Sequence, residues 1–249
     1  MRLETHALTS RGGRRINEDA LKEVTGPGFT VLALADGLGG HGGGELAARE
    51  CVAAIAAGFG RAPGLSDSTL QALVDEADRT VAALRRERQE PASAMRTTLA
   101  LLAVCDDRAR WAHVGDSRVY WFRGGELLHR TRDHSVAELV TGLRDSSLAA
   151  PPDDADRHRL LRVVGAGEGC RAELGDKVVA LEPGDAFLLC TDGVWSIVPD
   201  AEIATSLLTA TSPRDWAVAV EERLRERLGV EMPEGQDNYS MICGMVAPA

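Results

Sequence analysis

The sequence predicts an α+β chain in which antiparallel strands form the middle and paired helices cover them. Three observations carry this expectation. Segments of helical period come in two pairs, one over 44–58 and 70–84 and one over 200–210 and 213–228. Short β-branched and apolar runs crowd the interval between the pairs, separated by turns of two or three residues. A last apolar run, NYSMICGMV, follows the second helix pair. No repeat and no linker breaks the chain, so one domain over residues 1–249 is expected. A sheet pair covered by helices is one way to bury that much apolar surface in a single domain.

The elements follow in order. TVLALA, residues 30–35, reads as a buried strand ending at Asp36. The first helix puts Leu46, Ala47, Cys51, Ala54 and Ile55 on one face. After the breaker RAPGLSD, a stronger helix carries Leu70, Leu73, Val74, Ala77, Val81 and Leu84, with Ser66 or Asp67 as its cap. RTTLALLAV, RARWAHV, SRVYWFR and ELLHRT are strands joined by DD, GD and RGG turns, and connections this short predict an antiparallel meander. A short helix is expected over 134–141. The Pro- and Asp-rich stretch 142–158 reads as a surface insertion. Two further strands, near 177–181 and 185–191, flank the turn EPGD.

Composition narrows the function classes. Hydrophobic residues make up 44% and charged residues 27% of the 249, as in soluble globular proteins. The net charge of -10, from 38 acidic and 28 basic residues, argues against a general nucleic-acid binder, which needs a basic face. The five cysteines form no CxxC pair, which argues for reduced thiols and against a structural zinc. No apolar stretch is long enough to span a bilayer, and the first residues lack the apolar core of a signal peptide. A soluble, cytoplasmic protein is expected.

A recurring feature points to chemistry. Asp36, Asp116, Asp192 and Asp237 each adjoin an apolar run, with a glycine one or two residues away, and Glu18 and Asp19 precede another such run. Asp-Gly is a common turn, so any single case is weak; the recurrence is not. If the strand ends converge, four to six carboxylates share one cleft. Two unit charges ~4 Å apart repel by roughly 4 kcal/mol at an effective dielectric near 20, so protons or cations must sit among them. An all-oxygen donor set without Cys or His suits Mg²⁺ or Mn²⁺. Asp36 could bridge two such ions and the Gly37 carbonyl could add a ligand. Six glycines within eight residues after Asp36 would let an ion approach the backbone. Two such ions lower the pKa of a bridging water and neutralise phosphoryl charge. Arg14, five residues before Asp19, is a fork for a phosphate.

The segments RRINED, ADGLGGHGGGE, MRTTLALL, HVGDSRVY, RDHS, LLCTDGVWS and QDN, spanning residues 14–238, resemble the metal-dependent serine/threonine protein phosphatases (the PPM or type 2C family) in their compact bacterial form. The resemblance implies an α-β-β-α fold, a two-sheet antiparallel β-sandwich flanked by helix pairs. It implies that Asp36 bridges two core ions, Mn²⁺ or Mg²⁺, with the Gly37 carbonyl on one of them. Asp192 and Asp237 complete the first ion's shell, and Glu18 and Asp19 stand beside the second. Asp116, with Asp192, holds a weaker third ion. Arg14 binds phosphate, and a metal-bridging hydroxide attacks phosphoserine or phosphothreonine directly. Segment 142–158 takes the place of a mobile flap. The implied partners are phosphorylated proteins and the Ser/Thr kinases that the enzyme opposes, without nucleic acid or membrane, and the implied state is a monomer. Leu38 stands where animal members carry a histidine thought to protonate the leaving oxygen; His41 belongs to the bacterial GGH form, and its role is open. Two other readings stay open: a non-catalytic phosphoprotein-binding scaffold on this fold, and a stress-signalling phosphatase of the RsbU/SpoIIE type. Ser117 is expected to stabilise a turn, Arg118 to make an internal salt bridge, His134 to order a loop and Asn238 to orient Asp237.

Overall fold

A computed structural model describes residues 2–38, 43–91, 93–143, 159–167, 169–229 and 231–247. Its strands are β1 (Arg2–Ser10), β2 (Asp19–Gly26), β3 (Phe29–Leu38), β4 (Arg96–Thr97), β5 (Leu99–Cys105), β6 (Arg108–Val114), β7 (Arg118–Arg123), β8 (Glu126–Arg130), β9 (Glu173–Leu174), β10 (Val179–Ala180), β11 (Asp185–Cys190) and β12 (Tyr239–Ala247). Its helices are α1 (Gly43–Arg61), α2 (Asp67–Glu87), α3 (Val136–Leu143), α4 (Asp192–Trp195), α5 (Asp200–Thr209) and α6 (Pro213–Leu228). Among the described residues, one sheet runs β1-β12-β11-β7-β8, and the other runs β10-β6-β5-β3-β2 with β4 beside β3 and β9 beside β6. Every pairing is antiparallel.

The period of two along the strands builds four layers. On β3, Val31, Ala33 and Ala35 face α1 and α2, where Cys51, Ile55, Leu70, Val74 and Ala77 pack on them. The alternate residues Leu32 and Leu34 face the other sheet and meet Phe187, Leu189 and Ile242. On the far side, Leu188, Cys190, Met241 and Cys243 receive Ile203 of α5 and Trp216, Val220 and Leu224 of α6. Ser66 caps α2, its hydroxyl accepting from Thr69 N–H at 3.1 Å, and Ser212 caps α6 in the same way through Asp215 N–H.

One expectation is corrected. The strands from 96 to 131 are not one meander: β5 and β6 pair in one sheet, whereas β7 and β8 pair in the other. The connection Gly115-Asp116-Ser117 crosses between sheets. Gly115, at φ +92, takes a backbone conformation that side chains disfavour, and a Cβ there would lie 2.7 Å from Thr98 Cγ2. β10 and β11 flank EPGD where two strands were expected, and they enter different sheets: β10 joins β6 and β11 joins β7 and β12. β1, β2, β9 and α4 were not anticipated. Residues 144–158 of the expected insertion, and His41, lie outside the described residues.

Phe187 fills the space between the sheets without exposure and stacks on Trp121, with ring centroids 6.4 Å apart. Phe187→Ala should destabilise the protein by about 3–5 kcal/mol, read from the urea midpoint at unchanged m-value. A loss below about 1 kcal/mol would show that this layer is not the closely packed core described here.

Candidate active site

The rows of side chains between the sheets change from apolar to polar at one end. Leu32 and Leu34 are followed on the same face by Asp36, Leu21 on β2 is preceded by Asp19, Ala100 by Thr98, and Ile242 by Ser240. Asp19 and Asp36 are direct partners in the β2–β3 register. Their side chains therefore stand side by side, an arrangement that is unfavourable for like charges.

The remaining acids arrive from loops and a helix start. Glu18 precedes β2, Asp116 sits in the crossing between sheets, Asp192 opens α4 and Asp237 precedes β12. Arg14, Glu18, Asp36, Gly37, Leu38, Asp116, Leu160, Asp192, Asp237 and Asn238 line one cavity of about 440 Å³. Asp19 stands behind Asp36 rather than on the lining, and its Oδ2 accepts from the Thr191 hydroxyl at 3.1 Å. Arg14 is the one basic residue lining this cavity among the described residues, and its Nη2 lies 3.1 Å from Asp237 Oδ2 with both side chains about half exposed.

Neutral groups hold these acids by their backbones. Thr98 Oγ1 accepts from Asp36 N–H at 2.9 Å and lies 2.7 Å from the Ser117 hydroxyl, which joins the strand bearing Asp36 to the crossing bearing Asp116. Thr97 donates its hydroxyl to the Asp36 carbonyl at 2.7 Å. Asn238 accepts from Glu18 N–H at 2.8 Å and donates to the carbonyls of Arg11 and Ile16, tying the Arg14 loop to Asp237. Arg118 makes a two-pronged pair with Asp133 at 2.8 and 2.7 Å and lies 3.5 Å from the centre of the Trp195 ring. Trp195 Nε1–H donates to the Asp116 carbonyl at 2.9 Å.

The glycines beside the acids serve clearance. A Cβ on Gly37 would fall 2.2 Å from the Gly44 carbonyl oxygen and 2.7 Å from that of Glu18; one on Gly193 would fall 2.0 Å from that of Asn238. Asp36-Gly37 lies within a strand and Asp192-Gly193 within a helix, so neither pair is a turn. Thr98, Thr191 and Leu160 were not singled out in the sequence: Thr98 precedes the apolar strand β5 and Thr191 follows β11, positions that do not distinguish them from other strand-end residues, and nothing marked Leu160.

The electrostatics show what the cavity can hold. Burial, reinforced by Asp19, Asp192, Asp116 and Asp237, pushes Asp36 well above the usual carboxylate range. Burial also raises Asp19 to about 7, with Asp192 and Asp237 adding to it, and raises Asp116 to about 7, with Asp192 and Asp133 adding to it. Glu18 is raised by burial against the pull of Arg14. Glu18 Oε1 and Asp19 Oδ1 are enclosed and have no hydrogen-bond partner among the described residues. Buried carboxylate oxygens without donors, crowded and all-oxygen, fit divalent cations of the Mg²⁺ or Mn²⁺ kind.

A carboxyl whose pKa is raised in the folded state favours folding fully below its unfolded value, 3.8 for aspartate, and loses that contribution as pH rises through about 7. Protein kept in EDTA should therefore melt at a lower temperature at pH 7.5 than at pH 5. Added Mn²⁺ should raise the melting temperature more at pH 7.5, where the ligands are deprotonated. An Mn²⁺ shift of the same size at both pH values would contradict the carboxylate cluster as its cause.

Comparison with known proteins shows the family. The family model described as Protein phosphatase 2C matches residues 11–229. The protein phosphatase PhpP of Streptococcus pneumoniae is 30% identical over 213 residues, covering 81% of this chain and 82% of PhpP. The crystal structure of the Mycobacterium tuberculosis serine/threonine phosphatase PstP superposes with a TM-score of 0.80 at 28% identity, covering 99% of each chain. The PstP catalytic domain in complex with two manganese ions superposes with a TM-score of 0.79 at 28% identity, again over 99% of each chain. On the family match and the shared fold, the chain belongs to the protein phosphatase 2C family.

Proposed function

We propose that the chain is a metal-dependent protein phosphatase that hydrolyses phosphoserine and phosphothreonine by direct attack of water. The observation that carries this is the convergence of Glu18, Asp36, Asp116, Asp192 and Asp237 with Arg14 on one surface cavity. Asp36, Asp192 and Asp237 would hold one ion, and Asp36 with Glu18 and Asp19 would serve a second, with the Gly37 carbonyl on one of the two; Asp116 with Asp192 would serve a weaker third. The ions, Mn²⁺ or Mg²⁺, supply an acidified water and compensate charge on the phosphoryl oxygens.

The chain's own groups do the rest. The Arg14–Asp237 pair is exposed, so releasing it costs at most about 1 kcal/mol and frees the guanidinium fork for a phosphate. Asn238 keeps the Arg14 loop in place while Arg14 changes partner. Leu38 puts an apolar side chain where an imidazole acid could stand, and no histidine lines the cavity among the described residues. Protonation of the leaving oxygen therefore falls to a group other than the residue after Asp36-Gly37.

The substrates we propose are phosphorylated proteins, and the enzymes opposed are Ser/Thr kinases. Supporting this, PhpP and PstP are protein phosphatases by name; PhpP matches this chain over most of both lengths, and the solved PstP chain shares its fold over 99% of each. No helix among the described residues is long and apolar enough to cross a membrane. We propose a cytoplasmic monomer.

Purified protein should release phosphate from a phosphothreonine peptide with Mn²⁺ and stop in EDTA. Asp36→Asn should cut kcat by more than the ~10–100-fold typical of losing an outer partner of a metal site. Arg14→Ala should lower kcat/KM by about 10–100-fold through loss of charge-assisted bonds worth ~1.5–3 kcal/mol. Equal turnover in EDTA, or full activity of Asp36→Asn, would refute the assignment. In ¹⁸O-water under single turnover, the released phosphate should carry one label and acid quench should trap no phosphorylated protein. A trapped phosphoprotein would replace direct attack with a covalent route.

A further inference from the structure

HVGDSR and RDHS meet behind the cavity, and His134 grips Gly115 twice. The His134 N–H donates to the Gly115 carbonyl at 2.8 Å, and His134 Nδ1 accepts from Gly115 N–H at 3.2 Å. A ring nitrogen that accepts from an amide carries no proton, so the ring proton sits on Nε2. Nε2 lies 3.3 Å from Glu173 Oε2 and donates to it. Burial, with the His113 ring and Arg162 adding to it, pushes the His134 pKa down to about 4, so the ring is neutral at pH 7 and can hold this tautomer. The His113 ring stacks on it, centroids 4.5 Å apart, and is anchored through Nε2 at 2.7 Å from the Arg132 carbonyl.

His113, His134 and Glu173 offer donor atoms within 4.8 Å of one another, a spacing that invites a metal. The hydrogen bonds speak against one. A metal on His134 Nε2 would displace the proton to Nδ1, which faces an amide N–H, and would bring a second positive charge beside the Arg162 guanidinium; that guanidinium, a donor only, lies 3.4 Å from Nε2 and competes with Glu173 there, so Glu173 is what keeps the proton on Nε2.

We propose instead that Glu173 is a positioning residue: by accepting the His134 Nε2 proton it keeps Nδ1 free to clamp Gly115, and so fixes where Asp116 enters the active site. The proposal rests on the phosphatase reading for the role of Asp116. Glu173 sits on β9, outside the cavity lining, and touches none of the acids there. Without its carboxylate the proton can move to Nδ1, where it opposes Gly115 N–H and breaks the clamp.

The test is a double-mutant cycle on the full chain. Glu173→Ala should lower kcat roughly tenfold, as loss of an outer-sphere partner does, and weaken the lowest-affinity Mn²⁺ step seen by calorimetry. Glu173→Gln, which still accepts from Nε2–H, should restore both. His134→Asn places an amide oxygen where Nδ1 was and has no tautomer to hold, so Glu173→Ala should be neutral in that background. Long-range ¹H–¹⁵N spectra should show Nε2–H in the wild-type ring and a mixture in Glu173→Ala. An Nδ1–H tautomer in the wild type, an unchanged kcat and Mn²⁺ titration in Glu173→Ala, or equal damage in the His134→Asn background would each overturn the proposal. Wild-type protein without phosphatase activity would overturn the functional reading instead, and the spectra would still decide the His134–Glu173 contact.

Discussion

The fold is organised around a repulsion. Six carboxyl groups stand at one end of the space between two sheets, and two of them, Asp19 and Asp36, are direct neighbours across adjacent strands. A single close pair of like charges costs about 4 kcal/mol at the dielectric typical of protein surfaces, against a total stability of about 5–15 kcal/mol for a domain. Arg14 can answer only part of this, because its pair with Asp237 is exposed and screened. The burial that raises Asp36, Asp19 and Asp116 shows the other response, retention of protons. Divalent cations remove the conflict without protonation, which makes occupation of the site and stability of the fold at neutral pH one physical problem.

What holds the acids in this conflict is neutral. Threonine hydroxyls, an asparagine amide and backbone carbonyls position Asp36, Asp19 and Glu18, while Arg118 takes Asp133, which does not line this cavity. A positioning arginine placed among the site acids would have paired with them and blunted their demand for cations. Apolar rows on both sheets carry the polar ends to their meeting point, so the site inherits its rigidity from Leu32, Leu34, Phe187 and Ile242.

The sequence made visible whatever local periodicity encodes. α2 and α6 stood out because their apolar residues keep the helical period, and in α2 a local cap, Ser66, added to the signal. β3, β5 and β12 stood out as continuous apolar runs, because both faces of each are covered. β1 and β2 did not, since they are edge strands whose exposed and half-buried residues alternate without a strong apolar face. β9 and β10 are two residues long and exist only through pairing with β6, a tertiary fact. The meander failed at Gly115, where a short connection changes sheet instead of reversing within one. Asp36, Asp116 and Asp192 were legible because each adjoins an apolar strand and a glycine whose Cβ would clash, and Asp237, Glu18 and Asp19 because each stands just before or at the start of a strand; the hydroxyls behind them were not, because a buried threonine at a strand end looks like any other strand residue.

The crossing at Asp116 also explains why two distant motifs travel together in this chain. Asp36 is held by the strand ladder on both sides, and Asp192 by the first turn of a helix. Asp116 lies between sheets, where no ladder reaches it, so its backbone is fixed by contacts from elsewhere. Three such supports converge: the Ser117–Thr98 hydroxyl contact, the Trp195 N–H on the Asp116 carbonyl, and His134 on both polar groups of Gly115. Buried backbone groups must find partners, and at this crossing the Gly115 N–H and the Asp116 carbonyl find side chains while the Gly115 carbonyl finds the His134 backbone N–H. Removing any one support leaves a buried polar group unpaired as well as a looser acid, so the geometry of the site and the satisfaction of its backbone cannot be varied separately.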